Sequence, residues 1–428
     1  MADVIYGTDG ADVLVGTDEG ELIFGRAGGD YIRGLGGNDR FYEVGPGDDT
    51  LDGGAGHDHF HASIGNDTLI GGSGNDQLDG GPGADIIDGG PGRDEIQFSY
   101  SNDAIKEGVI VNLATGIGSG GDAEGDRYSN IEDIRDSRYG DILIGNDGNN
   151  AFYQSYNGAG EGDIMMGGGG DDKFYASSSS TFSEDQTSFF IGGEGSDTIS
   201  YIAGWGNDAP YGEYGPQPVI NLETGSGRTG DHFSGIENVD GSNQSDLIIG
   251  DNNDNRLIGN KGGDTIYGRD GDDFIVGENI HGEAGNDTLT GEGYDVSLYG
   301  GDGHDTLDAG PIAHEVFSDN ILSGGGGNDW LQGNVGNDTF VFDAEASSRD
   351  RVVDFESGDD GDTLLLTADL QARSGITDFD SLLDHATEID GGDLYIDFSN
   401  GDPWTFGVIV EDTAKADLTP DNVMFAEV

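Results

Sequence analysis

Across residues 7–97 large apolar residues return every nine positions, at Leu51, Phe60, Leu69, Leu78 and Ile87, and the residues between them are mostly small or polar. A spacing of nine fits neither the 3.6 period of a helix nor one long alternating strand. It predicts a three-residue strand around each apolar position, with that side chain facing in and its two neighbours facing out. The six residues between strands then form a turn. In that register the clearest lines are GGSGNDQLD from Gly71, GGPGADIID from Gly80 and GGPGRDEIQ from Gly89, each of the form G-G-x-G-x-D-x-U-x with U a large apolar residue. Towards the N-terminus the register continues through GGAGHDHFH, VGPGDDTLD, GLGGNDRFY, GRAGGDYIR and GTDGADVLV, with one extra residue, Glu43. Tandem self-similarity of this kind marks a repeat architecture.

Such a repeat cannot fold on its apolar residue alone. Ordering the backbone costs roughly 1–2 kcal/mol per residue, whereas burying one large apolar side chain returns about 1.5–3 kcal/mol. Something else must bind each turn. An Asp at every sixth position points to a hard cation held by carboxylate and carbonyl oxygens. The glycines at positions one, two and four supply turns with positive φ that let carbonyls converge on an ion. A disordered glycine-rich linker would not hold apolar residues in a fixed register.

These residues and their spacing resemble the RTX family, the glycine- and aspartate-rich calcium-binding repeats, also called hemolysin-type, of proteins that Gram-negative bacteria export by the type I route. The resemblance implies an all-β fold, a right-handed parallel β-roll in two or more segments with a small, mostly-β C-terminal cap. It implies two nonapeptides per turn of the roll, with multiple Ca²⁺ ions between the loops of successive turns, held by the sixth-position Asp and by loop carbonyls. In the N-terminal stretch the ligands it implies are Asp12, Asp30, Asp39, Asp49, Asp58, Asp67, Asp76, Asp85 and Asp94. The line GTDEGELIF departs from the pattern, with Glu19 for a glycine and Glu21 for the Asp, and a weak or absent site is expected there. Asp76, at a sixth position, is expected to matter for calcium. Asp79, at a ninth, is expected on an outward-facing strand end and near neutral on substitution.

Composition sharpens this picture. Among 428 residues there are 81 Gly, 33% hydrophobic residues and no Cys, so the core is thin and neither disulfides nor thiolate metal sites exist. With 85 Asp+Glu against 17 Lys+Arg the formal net charge is −68. That charge repels nucleic acid and anionic membranes and keeps a metal-free chain expanded. No run approaches the roughly 20 apolar residues of a membrane helix. Met1 leads within six residues into the first repeat line without a basic or apolar leader, so no Sec-type signal is read here and an export address is expected elsewhere in the chain.

After Gln97 a different unit begins, running over residues 109–150, and a copy of it returns over 219–255. Each has a strand ending in Asn-Leu, a glycine turn, a Gly-Asp, an Ile-Glu and a re-entry into the repeat. The unit is similar to segments that join rolls in RTX proteins and reads as a splice that continues the roll. A functional reading makes Asp126 and Glu132, and likewise Asp231 and Glu237, further acidic ligands. Between the copies the nonapeptide is fragmentary, with Asp163, Asp172 and Asp197 at sixth positions. The loops there carry Trp205, Tyr211 and Tyr214, the place to look for a partner surface on a rigid scaffold. From Gly241 the repeat resumes with Asp246, Asp264, Asp273, Asp287, Asp305, Asp329 and Asp338 at sixth positions; Asn255 and Val296 stand in that place in two lines and leave gaps, and residues 311–320 are an insertion.

The repeat ends at Phe340. Residues 352–355, 363–366 and 393–398 read as strands, and 379–386 as a short helix with Phe379, Leu382, Leu383 and Ala386 on one face. A solenoid needs such a terminal cap. The segment FVFDAEASSRDRVVDFESGDDGDTLLL and the final ADLTPDNVMFAEV resemble the sequence after the last roll and the uncleaved C-terminal signal of type I secreted proteins. The domain organisation expected is a first roll at 1–98, two strand-rich cassettes at 99–240, a second roll at 241–341, and a cap with the secretion signal at 342–428.

His57, His59 and His61 form the one histidine cluster, with His59 and His61 on one strand face, either solvated or holding Zn²⁺ or Ni²⁺. No HExxH, G-x-S-x-G or Walker motif is present. Two readings compete. The first is a secreted calcium-loaded structural, surface-layer, matrix or adhesion protein, whose partners are calcium, the type I secretion machinery and cell-surface polysaccharide or other surface proteins. The second is an extracellular polysaccharide-directed enzyme with its site in the cassettes and insertions.

Overall fold

The computed structural model describes residues 3–42, 45–98, 107–155, 162–176, 187–202, 219–227, 230–310, 318–344, 348–358, 361–389, 392–399 and 406–426. Trp205, Tyr211 and Tyr214 lie outside the described residues. The chain divides into two compact units, Met1–Gly212 with Gly225–Ile236 and Glu213–Thr224 with Glu237–Val428.

Each nonapeptide contributes one short strand, and successive nonapeptides alternate between two parallel ladders. In the first unit Arg40–Tyr42 pairs with His59–His61, which pairs with Gln77–Asp79, so Phe41 stands over Phe60 and Phe60 over Leu78. The alternate lines, Tyr31–Gly36, Thr50–Ala55, Thr68–Ser73 and Ile86–Asp88, stack Ile32, Leu51, Leu69 and Ile87 in the same way. One turn of the solenoid is therefore two nonapeptides, and the register of both ladders is kept on either side of the extra residue in the sequence. The fold is a parallel β-roll.

The apolar residue of each triplet points between the two ladders and supplies the core: Ile23, Phe41, Phe60, Leu78, Ile134, Phe152, Phe174 and Ile199 are buried completely in one ladder, and Ile32, Leu51, Leu69, Leu143, Met165 and Phe190 in the other. The rings of Phe41 and Phe60 stack with centroids 4.6 Å apart. A core this narrow has room for one side chain per strand.

The first cassette splices into the roll without ending it. Glu95–Gln97 pairs in parallel with Asp133–Arg135, bringing Ile134 onto Ile96 across a long excursion of chain. In the other ladder Ile86–Asp88 pairs with Arg127–Ser129. Ile117–Ser119 then runs antiparallel to both Arg127–Ser129 and Ile110–Asn112, and the latter resumes parallel pairing with Ile142–Ile144. One antiparallel strand inside a parallel ladder is the signature of the splice.

In the second unit one ladder runs from Val219–Asn221 through Leu247–Ile249 and Thr265–Asp270 to Thr339–Phe342, and the other from Asn238–Asp240 to Arg349–Val352. One of its turns is shortened: Thr265 pairs with Asn279 and Phe274 with Thr288. The last turn is covered on both ladders. Gly407–Val410 adds in parallel to Arg349–Val352 and carries antiparallel Leu394–Asp397 and Ala386–Glu388. Val423–Phe425 adds to Thr363–Leu366.

The helix read at 379–386 is present as Phe379–His385, started by Asp378, whose side chain accepts from the Ser381 N–H in a capping box. A second helix, Ala368–Ser374, and the strand Gly407–Val410 were not read from the sequence. The strand expected at 352–355 lies earlier, at Arg349–Val352. The shift has a local cause, since the Asp354 carboxylate accepts from the N–H groups of Gly333 and Asn334 and so sits in a turn.

Candidate metal centres

The repeated aspartate does the same thing on turn after turn. Its Oδ1 accepts a hydrogen bond from the backbone N–H of the sixth-position residue one turn earlier. Asp76 accepts from Asp58 at 2.8 Å and Asp94 from Asp76 at 2.8 Å. The same rung joins Asp12 to Asp30, Asp30 to Asp49, Asp39 to Asp58, Asp49 to Asp67 and Asp67 to Asp85. Asp163 accepts from Asp141, Asp172 from Asn150 and Asp197 from Asp172. In the second unit Asp264 accepts from Asp246, Asp273 from Asn255, Asp287 from Asp273, Asp305 from Asp287, Asp329 from Asp305 and Asp338 from Asn320.

With Oδ1 committed, the second oxygen is left over. Oδ2 is buried and without a hydrogen-bond partner at Asp30, Asp39, Asp49, Asp58, Asp67, Asp76, Asp85, Asp94, Asp172, Asp264, Asp273, Asp287, Asp305, Asp329 and Asp338. In most lines glycine at the first position keeps space beside that oxygen, while Val44 and Ala62 take the place in the lines of Asp49 and Asp67. A Cβ at Gly71 would lie 2.5 Å from Asp76 Oδ2 and 2.5 Å from the carbonyl oxygen of Gly89, one turn on. A carboxylate oxygen and a carbonyl oxygen of the next turn thus converge where only glycine leaves room.

Burial makes this costly for an anion. Desolvation pushes the carboxyl groups of Asp58, Asp67 and Asp94 up to about 7 and that of Asp85 up to about 8. The same cause raises Asp264, Asp273, Asp305 and Asp338 to about 7. A buried carboxylate must be protonated, paired or bound to a metal. The donor set, carboxylate and carbonyl oxygen, fits Ca²⁺, and the sixth-position aspartates with the loop carbonyls are the groups that would hold it.

The irregular lines differ in an informative way. Glu21 departs from this geometry, since its carboxylate takes the N–H and hydroxyl of Thr17. Asp12, in the first turn, is only half-buried and its Oδ2 takes the N–H and hydroxyl of Thr8. At Asn150 and Asn255 the amide satisfies itself: Oδ1 accepts from Asn146 or Asp251, and Nδ2 donates to the carbonyl of Glu132 or Glu237. Val296 puts a buried apolar group at the position, and Asn320 holds the next rung by accepting from the Val296 N–H.

The cassettes hold rungs of the ladder too. Asp126 accepts from the N–H of Asp85 and Glu132 from that of Asp94, so both stand where a sixth-position Asp would. Asp231 accepts from the Ser188 N–H and from the Tyr201 hydroxyl. Sequence reasoning missed Asp141, Asp350 and Asp362, which accept from the N–H groups of Val109, Asp329 and Asp338. Counting back two residues from the buried Leu143, Val352 and Leu364 would have found all three.

The histidines serve separate structural purposes. His57 fills the place of the usual Asn at the fifth position: its N–H donates to Asn38 Oδ1, and its Nδ1 accepts from the N–H of Asn75. His61 Nδ1 lies 3.0 Å from Asp79 Oδ2 and His59 Nε2 lies 3.2 Å from Gln97 Nε2. Among the described residues these histidines belong to no group of three or more metal-ligand side chains with ligand atoms close together. Asp79 is not on an outward-facing end as expected. It is 4% exposed, bound by His61 and by the Gly81 N–H, because the chain turns back directly after the strand and His61 stands one turn below it.

The chain matches the family of the RTX calcium-binding nonapeptide repeat (4 copies) over residues 2–20, 15–42, 43–69, 61–96, 157–179, 233–265, 249–279, 281–311 and 317–346, more than half its length. No curated protein matches it. Among solved structures it is similar to the extracellular lipase LipA from Serratia marcescens, at 19% identity and a TM-score of 0.23, over 67% of this chain and 40% of the lipase. The chain thus spans well under two thirds of that protein's length.

Proposed function

The chain belongs to the RTX calcium-binding repeat family, and from that premise we propose that it is a secreted protein whose rolls fold on binding many Ca²⁺ ions outside the cell, where it serves as structural, surface-layer, matrix or adhesion material. That it is a calcium-binding β-roll protein follows from the family. The finer reading is supported above all by the files of buried aspartates whose Oδ2 has no partner. A chain that brings so many carboxylates out of water folds, near neutral pH, only where cations are abundant.

Extracellular calcium-binding modules work with dissociation constants of about 10⁻⁴–10⁻³ M. Cytosolic free calcium is too low to fill such sites, so the chain would stay unfolded before export and fold after it. Folding outside would then disfavour return through a narrow type I exporter. The proposed address is the C-terminal segment.

Deleting residues 416–428 tests the route. The strand Val423–Phe425 covers the end of one ladder, so the purified truncated chain is expected to fold in calcium with reduced stability. In a cell carrying a type I exporter it should be retained. Normal yield of the truncated chain in the medium would contradict the assignment.

A further inference from the structure

One aspartate breaks the rule of the repeat. Counting the register back from the buried Leu143 gives the line DSRYGDILI, with Asp141 at the sixth position and Asp136, not glycine, at the first. In most other lines that position is a glycine whose added Cβ would run into the sixth-position carboxylate and the next turn's carbonyl, and in the lines of Asp49 and Asp67 it is the uncharged Val44 and Ala62. In the second cassette the corresponding residue is Gly241, and a Cβ there would lie 2.9 Å from Asp246 Oδ2 and 2.7 Å from the Gly259 carbonyl oxygen. The first cassette instead puts a third carboxylate there.

Asp136, Asp141 and Asp163 are all buried, and each offers an oxygen within 4.8 Å of those of the other two. Oxygens around one Ca²⁺, each about 2.3–2.6 Å from it, span up to about 5 Å. Asp141 is held in place by Ser137, whose N–H and hydroxyl donate to it at 2.8 and 2.9 Å. Asp163 accepts from the Asp141 N–H and from Gln154 Nε2. Asp136 has no exposed surface; its Oδ1 takes the Ser155 N–H, while its Oδ2 is buried and without a partner.

We propose that Asp136, Asp141 and Asp163 form a three-carboxylate Ca²⁺ site at the re-entry of the first cassette, tighter than the ordinary repeat sites and filled before them. The inference rests on the calcium reading above but adds a residue outside the repeat pattern. Affinity in oxygen-ligand sites rises with the number of charged ligands, and Asp136 adds one that neither the nonapeptide nor the second cassette carries. A site that fills first at the junction between cassette and roll would order the splice on which the following turns stack.

The test is a titration of the full chain with Ca²⁺ in competition with a chromophoric chelator, for the unaltered protein, Asp136→Asn and Asp136→Gly. Asp136→Gly restores the first-position glycine that the second cassette has. The unaltered chain should show a tight class of site ahead of the bulk, and both variants should lose it, the dissociation constant rising at least about tenfold, while reaching the same circular dichroism at saturating calcium. A tight class that survives in either variant overturns the proposal. So does a single uniform class in the unaltered chain, and so does failure of both variants to fold in saturating calcium, which would make Asp136 a structural residue. An unaltered chain that takes up no calcium overturns the proposed function instead.

Discussion

Asp76 and Asp79 are three residues apart and do different work. Asp76 has one oxygen on the Asp58 N–H and one buried without a partner, whereas both oxygens of Asp79 are engaged, by His61 and the Gly81 N–H. Asp76→Ala should reduce bound calcium and raise the calcium concentration at the folding midpoint. Asp79→Ala should leave the amount of bound calcium unchanged but destabilise the calcium-loaded roll by about 1–3 kcal/mol, the cost of stranding buried hydrogen-bonding groups. Calcium stoichiometry together with urea unfolding separates the two, and equal losses of bound calcium would contradict the register. The buried carboxyls also set a pH dependence. Their folded values are raised above the ordinary 3.8, to about 7 at Asp58 and Asp67 and about 8 at Asp85, chiefly by desolvation. For an acid raised on folding, stability is fully present below the unfolded value and is lost as pH rises through the folded one. In metal-free buffer the chain should therefore be expanded near pH 8 and gain compactness and β structure as pH falls towards 4, read by circular dichroism and hydrodynamic radius. Calcium should reverse the order, because it competes with the proton for the same oxygens; greater metal-free compactness at pH 8 would contradict this.

At the scale of the element, the turn between two strands is the unit that, on the proposed reading, either holds an ion or does without one. Asn255 shows how a turn does without: its amide donates to the Glu237 carbonyl and accepts from the Asp251 N–H, so nothing there is left unsatisfied. Asn255→Asp exchanges that donor for an acceptor and should add one bound calcium per chain, read by equilibrium dialysis; an unchanged stoichiometry would show that the sixth-position residue alone does not make the site. The nonapeptide turns were legible in the sequence because glycine, aspartate and the apolar residue keep one spacing, and the ladders pair in the register that spacing implies. The cassettes were less legible. Their excursions vary in length, so the count from one sixth position to the next is lost, and Asp141 becomes visible only once Leu143 is known to stack on Val111 and Met165. The burial of Asp79 depends on His61, a residue one turn away, which no single line of the repeat announces. In the cap the helix Phe379–His385 followed from its apolar spacing, but Gly407–Val410 is a strand because it pairs with Arg349–Val352, a long-range contact without a local signal.

For the whole molecule the balance is between a thin core and a large charge. Most strands of the rolls bury a single large apolar residue, the strands are mostly three residues long, and the formal net charge is −68. Repulsion of that size favours expansion. Ligands that bind only the folded chain stabilise it by RT ln(1 + [L]/Kd), about 1.4 kcal/mol per site at a tenfold excess over Kd, and the sites repeat along both units. On the proposed function, calcium is the condition for the fold rather than an addition to it. The most direct measurement is the far-ultraviolet circular dichroism and hydrodynamic radius of the full chain while calcium is raised from a chelated baseline into the millimolar range near pH 7.5. The expected result is an expanded, disordered chain at the baseline that becomes compact and β-rich as calcium is added. A chain that is already compact with an unchanged β spectrum in the chelator would contradict the account.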